Sequence, residues 1–284
     1  MIEIRHKETG AVLATVEGDS LAGADLRDMR LEGANLRNAD LSGANLRYSD
    51  LVGSDLSGAN LQGAYLAGAH LNNSDLTGAN LCAAKLGADS SASAAMLSNC
   101  KLNGVDFSRA DLRRVEMRNS SMEGATFDRA DLRNADLSNS NLSNSSACNA
   151  LFIRANLRSA KLNGTNLCDS HLNDANMIKA DLSGARLESA SADGFTVINL
   201  ANMEAANLSG AAMRNISAED TNFKHADLRG ADLSHAVMGG ASLRSSNVAG
   251  TNFKGVELAT VNMEFANFSQ ALNADIPSYK TNLR

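Results

Sequence analysis

No stretch of the chain approaches the roughly 18 consecutive apolar residues that a membrane-spanning helix needs, so a transmembrane helix is excluded. The opening MIEIRHKETG lacks the apolar core of a signal peptide. Proline occurs once, at Pro277. The four cysteines, Cys82, Cys100, Cys148 and Cys168, follow no metal-binding spacing, which points to a reducing, cytoplasmic setting. A net charge of −6 is the wrong sign for a nucleic-acid-binding chain. GxSxG, P-loop, HExxH and CxxC motifs are absent, and His6, His70, His171, His225 and His235 are scattered. We therefore expect a non-enzyme, with no catalytic, cofactor or metal site, and with neither a membrane nor a nucleic acid as direct partner.

What the chain has instead is a period of five. In GANLRNADLSGANLR, residues 33–47, leucine returns at Leu36, Leu41 and Leu46. A small residue stands two places before each (Ala34, Ala39, Ala44), and an Asn or Asp lies between. Five residues on a helix rotate a side chain by about 140°, which smears the leucines around the cylinder. On a straight strand, odd spacing puts them on alternate faces. A buried leucine stripe therefore requires a chain that turns once per pentad, with Ala and Leu inward and the other three places outward or in the turn.

With the large residue taken as the centre, pentads run from Leu21 to Met96, Leu102 to Val197 and Met203 to Phe268, about fifty in all. Ser91, Ala147, Ala192 and Ala218 are the small centres. The register slips by one residue between Met96 and Leu102 and again between Val197 and Met203. We expect a one-residue bulge at each slip, with Leu97 and Ile198 protruding, the latter beside Ile178.

Segments such as ADLRNADLSNSNL, GANLQGAYLAGAHL and HADLRGADLSHAVM resemble the A(D/N)LXX signature of the pentapeptide-repeat family over residues 20–270. The resemblance implies an all-β fold, a right-handed quadrilateral parallel β-helix of about 12 coils with four pentads per coil. Glycine two places after the centre (Gly33, Gly43, Gly53, Gly63, Gly164, Gly184) suits the positive-φ turns such a coil needs. It also implies a partner class, since some members bind DNA gyrase or topoisomerase IV as acidic mimics of duplex DNA and protect the enzyme from inhibitors.

Residues 1–19 read as a hairpin that caps the first coil, with KETG as its turn. Residues 271–284 read as a C-terminal cap or a frayed tail. That tail is short and weakly apolar, so a monomer or weak homodimer is expected. Asn and Asp before the centres should form columns, Asn35–Asp55–Asp75 and Asp111–Asp131, bonding their own turns or one another. Cys148 and Cys168 should be neighbours on adjacent coils. The partner is expected to be another protein, bound by the side with Asp55, Asp75, Glu116 and Asp136 and, farther along, Ile178 and Ile198, because apolar residues rimmed by charge mark contacts. That side also carries Arg37, Arg118, Arg158 and Lys179, so its acidity is largely cancelled, and a type II topoisomerase is the alternative partner.

Overall fold

The computed structural model describes residues 1–189 and 194–280, and the chain divides into two compact units, Met1–Ser146 and Ala147–Arg284. Among the described residues there is no α-helix. Both units are built from the same step. The carbonyl of most centres accepts a hydrogen bond from the amide three residues on, as in Ala34 N to Leu31 O at 3.0 Å. The second place after the centre has positive φ, as in Gly33 at 65° and Asn38 at 54°, the geometry of a type II turn. One such corner per pentad lets both the small residue and the centre point inward.

Coils are joined by a parallel ladder of single bridges at 20-residue intervals, so four pentads make one coil. Leu36 N donates to Asp55 O at 2.7 Å, and Asp55 N donates to Ala34 O at 2.9 Å. Leu56 and Asp75 repeat the first bond, again at 2.7 Å. Backbone groups that would be orphaned in so irregular a chain are thus paired. In the N-terminal unit Leu36, Leu56 and Leu76 stack in one inward column and are buried. Phe107 and Phe127, one coil apart, stack ring on ring at 5.2 Å. Several buried hydroxyls at the small-residue place donate to centre carbonyls, as with Ser120 Oγ to Leu97 O at 2.8 Å and Thr221 Oγ1 to Ile198 O at 2.8 Å. The fold is a four-sided parallel β-helix.

Strands β1 (Ile2–His6) and β2 (Val12–Val16) pair antiparallel, and β1 pairs antiparallel with β3 (Ala34–Asn35). Ile4 is buried beneath them. In the C-terminal unit Leu272 bridges Asn252, and a 3-10 turn follows at Ser278–Lys280. Lys280 Nζ donates to the carbonyls of Val261 at 2.7 Å and Leu258 at 3.2 Å. Residues 281–284 lie outside the described residues.

The two register slips are not one-residue bulges. His70 bridges Met96 and His171 bridges Val197, each 26 residues on rather than 20. Met96 and Val197 therefore occupy the place before a centre. The centres are Leu97 and Ile198, both fully buried rather than protruding. Leu97 N donates to Glu116 O and Ile198 N to Ser217 O, the same bond that Leu36 N makes with Asp55 O. Six residues, not one, are inserted between centres Leu86 and Leu97 and between Leu187 and Ile198. The first insertion contains a 3-10 turn at Ser91–Ser93, so Ser91 is in a loop and is no centre. Ala192 lies outside the described residues. Six is one pentad plus one residue, so a count by fives registers only the remainder.

Candidate functional site

The corrected phase redistributes the expected partner face. Asp55 and Asp75 belong to the column Asn35–Asp55–Asp75–Lys101–Ser121–Asn141, while Glu116 and Asp136 belong to Arg30–Asp50–His70–Met96–Glu116–Asp136. These are neighbouring sides of the N-terminal unit, separated by a corner. Ile198 is core, stacked between Leu172 and Ala218. Ile178 is half-buried in a turn, its amide donating to Asn176 Oδ1 at 3.3 Å. With Ile198 in the core, the six are not all surface residues.

The carboxylates are also already engaged. Asp55 Oδ1 accepts from Ser57 N at 3.0 Å and Ser57 Oγ at 2.6 Å. Asp75 Oδ1 accepts from Thr77 in the same way, and Lys101 lies 3.3 Å from its other oxygen. Partial burial works against ionisation of Asp75, but the Thr77 bonds and Lys101 outweigh it and hold the carboxyl below its ordinary range. Arg118 sits between Glu116 at 2.8 Å and Asp136 at 3.2 Å. Elsewhere the pattern D-x-R within one pentad closes on itself, as in Arg133–Asp131 and Arg229–Asp227, both 2.6 Å. The Asn and Asp columns make both kinds of bond expected of them: Arg37 N donates to Asn35 Oδ1 at 3.4 Å, and Asn80 Nδ2 donates to Asn60 Oδ1 at 3.1 Å.

One side of the C-terminal unit departs from this polar scheme. In the column Leu151–His171–Val197–Ser217–Val237 the place that elsewhere holds Asn or Asp holds Leu or Val three times. Val237 is 54% exposed. Leu200, in the corner after Ile198, is 58% exposed with φ of 61°, and Phe195 enters from the second insertion at 54% exposure. Asp174, Glu219 and Asp220 occupy the flanking turn places of the same coils. A leucine held in the left-handed region pays a conformational cost with no buried contact in return. The signal was present in LFIRANL and TVINLANM, but it emerges only once Val197 is no longer taken as a centre.

A second feature lies at the end of the repeats. There the centres Met263 and Phe268 are half-exposed, and a cleft of about 340 Å³ opens among Val261, Met263, Phe265, Phe268, Ile276 and Lys280. Desolvation lowers the Lys280 ammonium from its ordinary range. A fully regular coil offers no concave pocket. This one lies where, among the described residues, no further coil covers the last centres. Among the described residues no group of three or more His, Cys, Asp or Glu side chains is placed to hold a metal ion, and no helix is long and apolar enough to cross a membrane.

The model of the family described as pentapeptide repeats matches in eight copies, over residues 20–58, 59–87, 93–129, 125–150, 150–188, 201–240 and 238–272. The matches break at the two insertions. Among solved structures the chain is similar to HetL, a pentapeptide repeat protein involved in heterocyst differentiation regulation from the cyanobacterium Nostoc sp. strain PCC 7120, at 25% identity over 88% of this chain and 87% of that one, TM-score 0.31. It is similar to QnrB1, a plasmid-mediated fluoroquinolone resistance protein, at 20% identity over 72% and 86%, TM-score 0.36. It is also similar to Rfr23 from the cyanobacterium Cyanothece 51142, at 23% identity over 39% and 60%, TM-score 0.20. No curated protein matches the chain.

Proposed function

Because the chain belongs to the pentapeptide-repeat family, we propose that it is a non-enzymatic, cytoplasmic scaffold that binds another protein through a flat side of its β-helix. In this reading residues 1–19 shield the first coil of a repeat region spanning 20–270, and 271–284 is a C-terminal cap or a frayed tail. The observation that carries the proposal is the apolar side of the C-terminal unit, where Leu200 and Val237 are exposed and Leu151 is half-buried. The rim is of mixed sign, with Asp174 paired to Arg154 at 3.6 Å, and apolar side chains rimmed by charge suit a partner surface that is apolar at its centre and charged at its edge. The Asp55–Asp75 and Glu116–Asp136 columns are weaker candidates, since their charges are spent on Thr77, Lys101 and Arg118.

The test is a pull-down with the purified chain followed by substitution. A partner retained by the parent should be lost with Leu200→Asp plus Val237→Asp and kept with Asp55→Lys plus Asp75→Lys. The opposite pattern moves the contact to the acidic column and restores the topoisomerase-binding mimic as the better reading.

A further inference from the structure

We propose that Cys148 and Cys168 form a two-thiolate site for a soft monovalent cation, copper(I). Ala147 N donates to Asn166 O at 2.8 Å and Asn149 N donates to Cys168 O at 2.9 Å, so the two cysteines hold the same place on successive coils, side by side. Stacked residues of a parallel ladder stand about 4.8 Å apart with their side chains leaving in parallel. A disulfide prefers its Cβ atoms closer, at roughly 3.5–4.5 Å. Two opposed metal–sulfur bonds of about 2.3 Å instead span about 4.6 Å, close to the spacing the ladder imposes. Thiolates favour soft metals, copper(I) and zinc among them. Zinc would require four ligands, and the described residues supply no third one.

The surroundings fit an anionic bis-thiolate. Asp169 and Arg186 lie beside Cys168, and the Arg186 guanidinium offsets the extra negative charge. Glu188, next in the column, is held by Arg214 at 2.6 Å. Cys148 is half-buried and gives the ion its way in, while Cys168 is buried. Desolvation first, and then the hydrogen bond with Cys148, push the Cys168 thiol up to about 12. A cysteine binds a metal as its thiolate, so the metal displaces the thiol proton. Two S–H bonds break, two S–Cu bonds form, two protons leave to solvent, and no electron is transferred. Affinity should fall as pH falls.

The experiment titrates the reduced full chain with copper(I) in the absence of oxygen, against a chromophoric copper(I) chelator, and follows proton release. One ion per chain with about two protons released is expected. Cys148→Ser and Cys168→Ser should each weaken binding by at least about 100-fold, the loss expected when the second ligand of a chelate is removed. Cys82→Ser and Cys100→Ser should leave it unchanged. Circular dichroism checks the fold, and if Cys168→Ser does not fold, the half-buried Cys148→Ser carries the test alone. Binding that survives either serine at 148 or 168, that follows Cys82 or Cys100, or that is as tight for zinc overturns the proposal. So does a chain that closes a 148–168 disulfide under mild peroxide and shows no copper affinity when reduced.

Discussion

Every corner of the coil needs one residue in the left-handed region, and many of these places hold no glycine. Asn is common there (Asn38, Asn73, Asn99, Asn119), and its short polar side chain tolerates the conformation. Ala83, at φ of 57°, has no such help. Its amide already makes the coil-to-coil bond to Ser108 O at 2.8 Å, so the backbone cannot relax elsewhere. Ala83→Gly should stabilise the chain by about 0.5–1 kcal/mol, because the relief of strain exceeds the added entropy of the unfolded state. The midpoint of urea unfolding should rise, and an unchanged or lower midpoint would show that the corner is not strained. Gly68 is the opposite case. At φ of 73° the ring of Tyr48, one coil earlier, lies against the space a side chain would fill. Gly68→Ala should therefore lower the same midpoint.

A coil tolerates added chain only where its ladder can close again afterwards. Leu86 and Ala95 close the first insertion through Ala95 N to Leu86 O at 2.9 Å. Deleting Ala88–Ser93 would leave Leu86-Gly-Ala-Ala-Met-Leu97, the exact five-residue spacing of the repeat. The deletion loses the contact of Arg113 with Asp89, an aspartate 97% exposed and worth little. It also removes a loop whose closure costs entropy. The shortened chain should keep its β-helical circular dichroism and unfold at an equal or higher urea concentration. Collapse of the fold would mean that the insertion is structural. This segment also marks how far the sequence could be read. The pentad period, the inward Leu columns and the Asn and Asp ladders follow from local spacing and were readable. The insertions were not, because GADSSASAAM is made of the same small residues as the repeat and its excess exceeds a multiple of five by only one. A count by fives takes Met96 and Val197 for centres and Leu97 and Ile198 for outward residues, and it merges two acidic columns into one face. The apolar side with Leu200 and Val237 was hidden by the same step.

Charge across the chain is abundant but locally spent, and two consequences follow. The first concerns acid. Partial burial disfavours the charged form of Asp111, yet Arg113 overrides it, and the carboxyl titrates below its ordinary value of 3.8. Hydrogen bonds from Arg229 lower Asp227 likewise. A folded-state pKa below the unfolded one means that the unfolded chain binds more protons, so this stability is complete above the ordinary value and is lost as pH falls through the folded one. Stability measured by urea should decline below about pH 4, and Asp111→Asn should flatten that decline while lowering stability at pH 7. The second consequence bears on the topoisomerase reading. A protein that substitutes for duplex DNA must offer dense, unpaired negative charge, since the duplex carries one charge per about 1.7 Å and its contacts weaken steeply with salt. Here Arg118, Arg133 and Arg229 neutralise the nearest acids within 2.6–3.2 Å. A surface of this kind gains little from long-range attraction, and contacts through Leu200 and Val237 are apolar and little affected by salt. We therefore expect that adding the chain to a gyrase supercoiling assay changes neither the activity nor its inhibition by a fluoroquinolone. We also expect that affinity for the true partner varies less than about threefold between 50 and 300 mM salt. Protection of gyrase, together with binding that falls steeply over the same salt range, would replace the apolar contact with an electrostatic one.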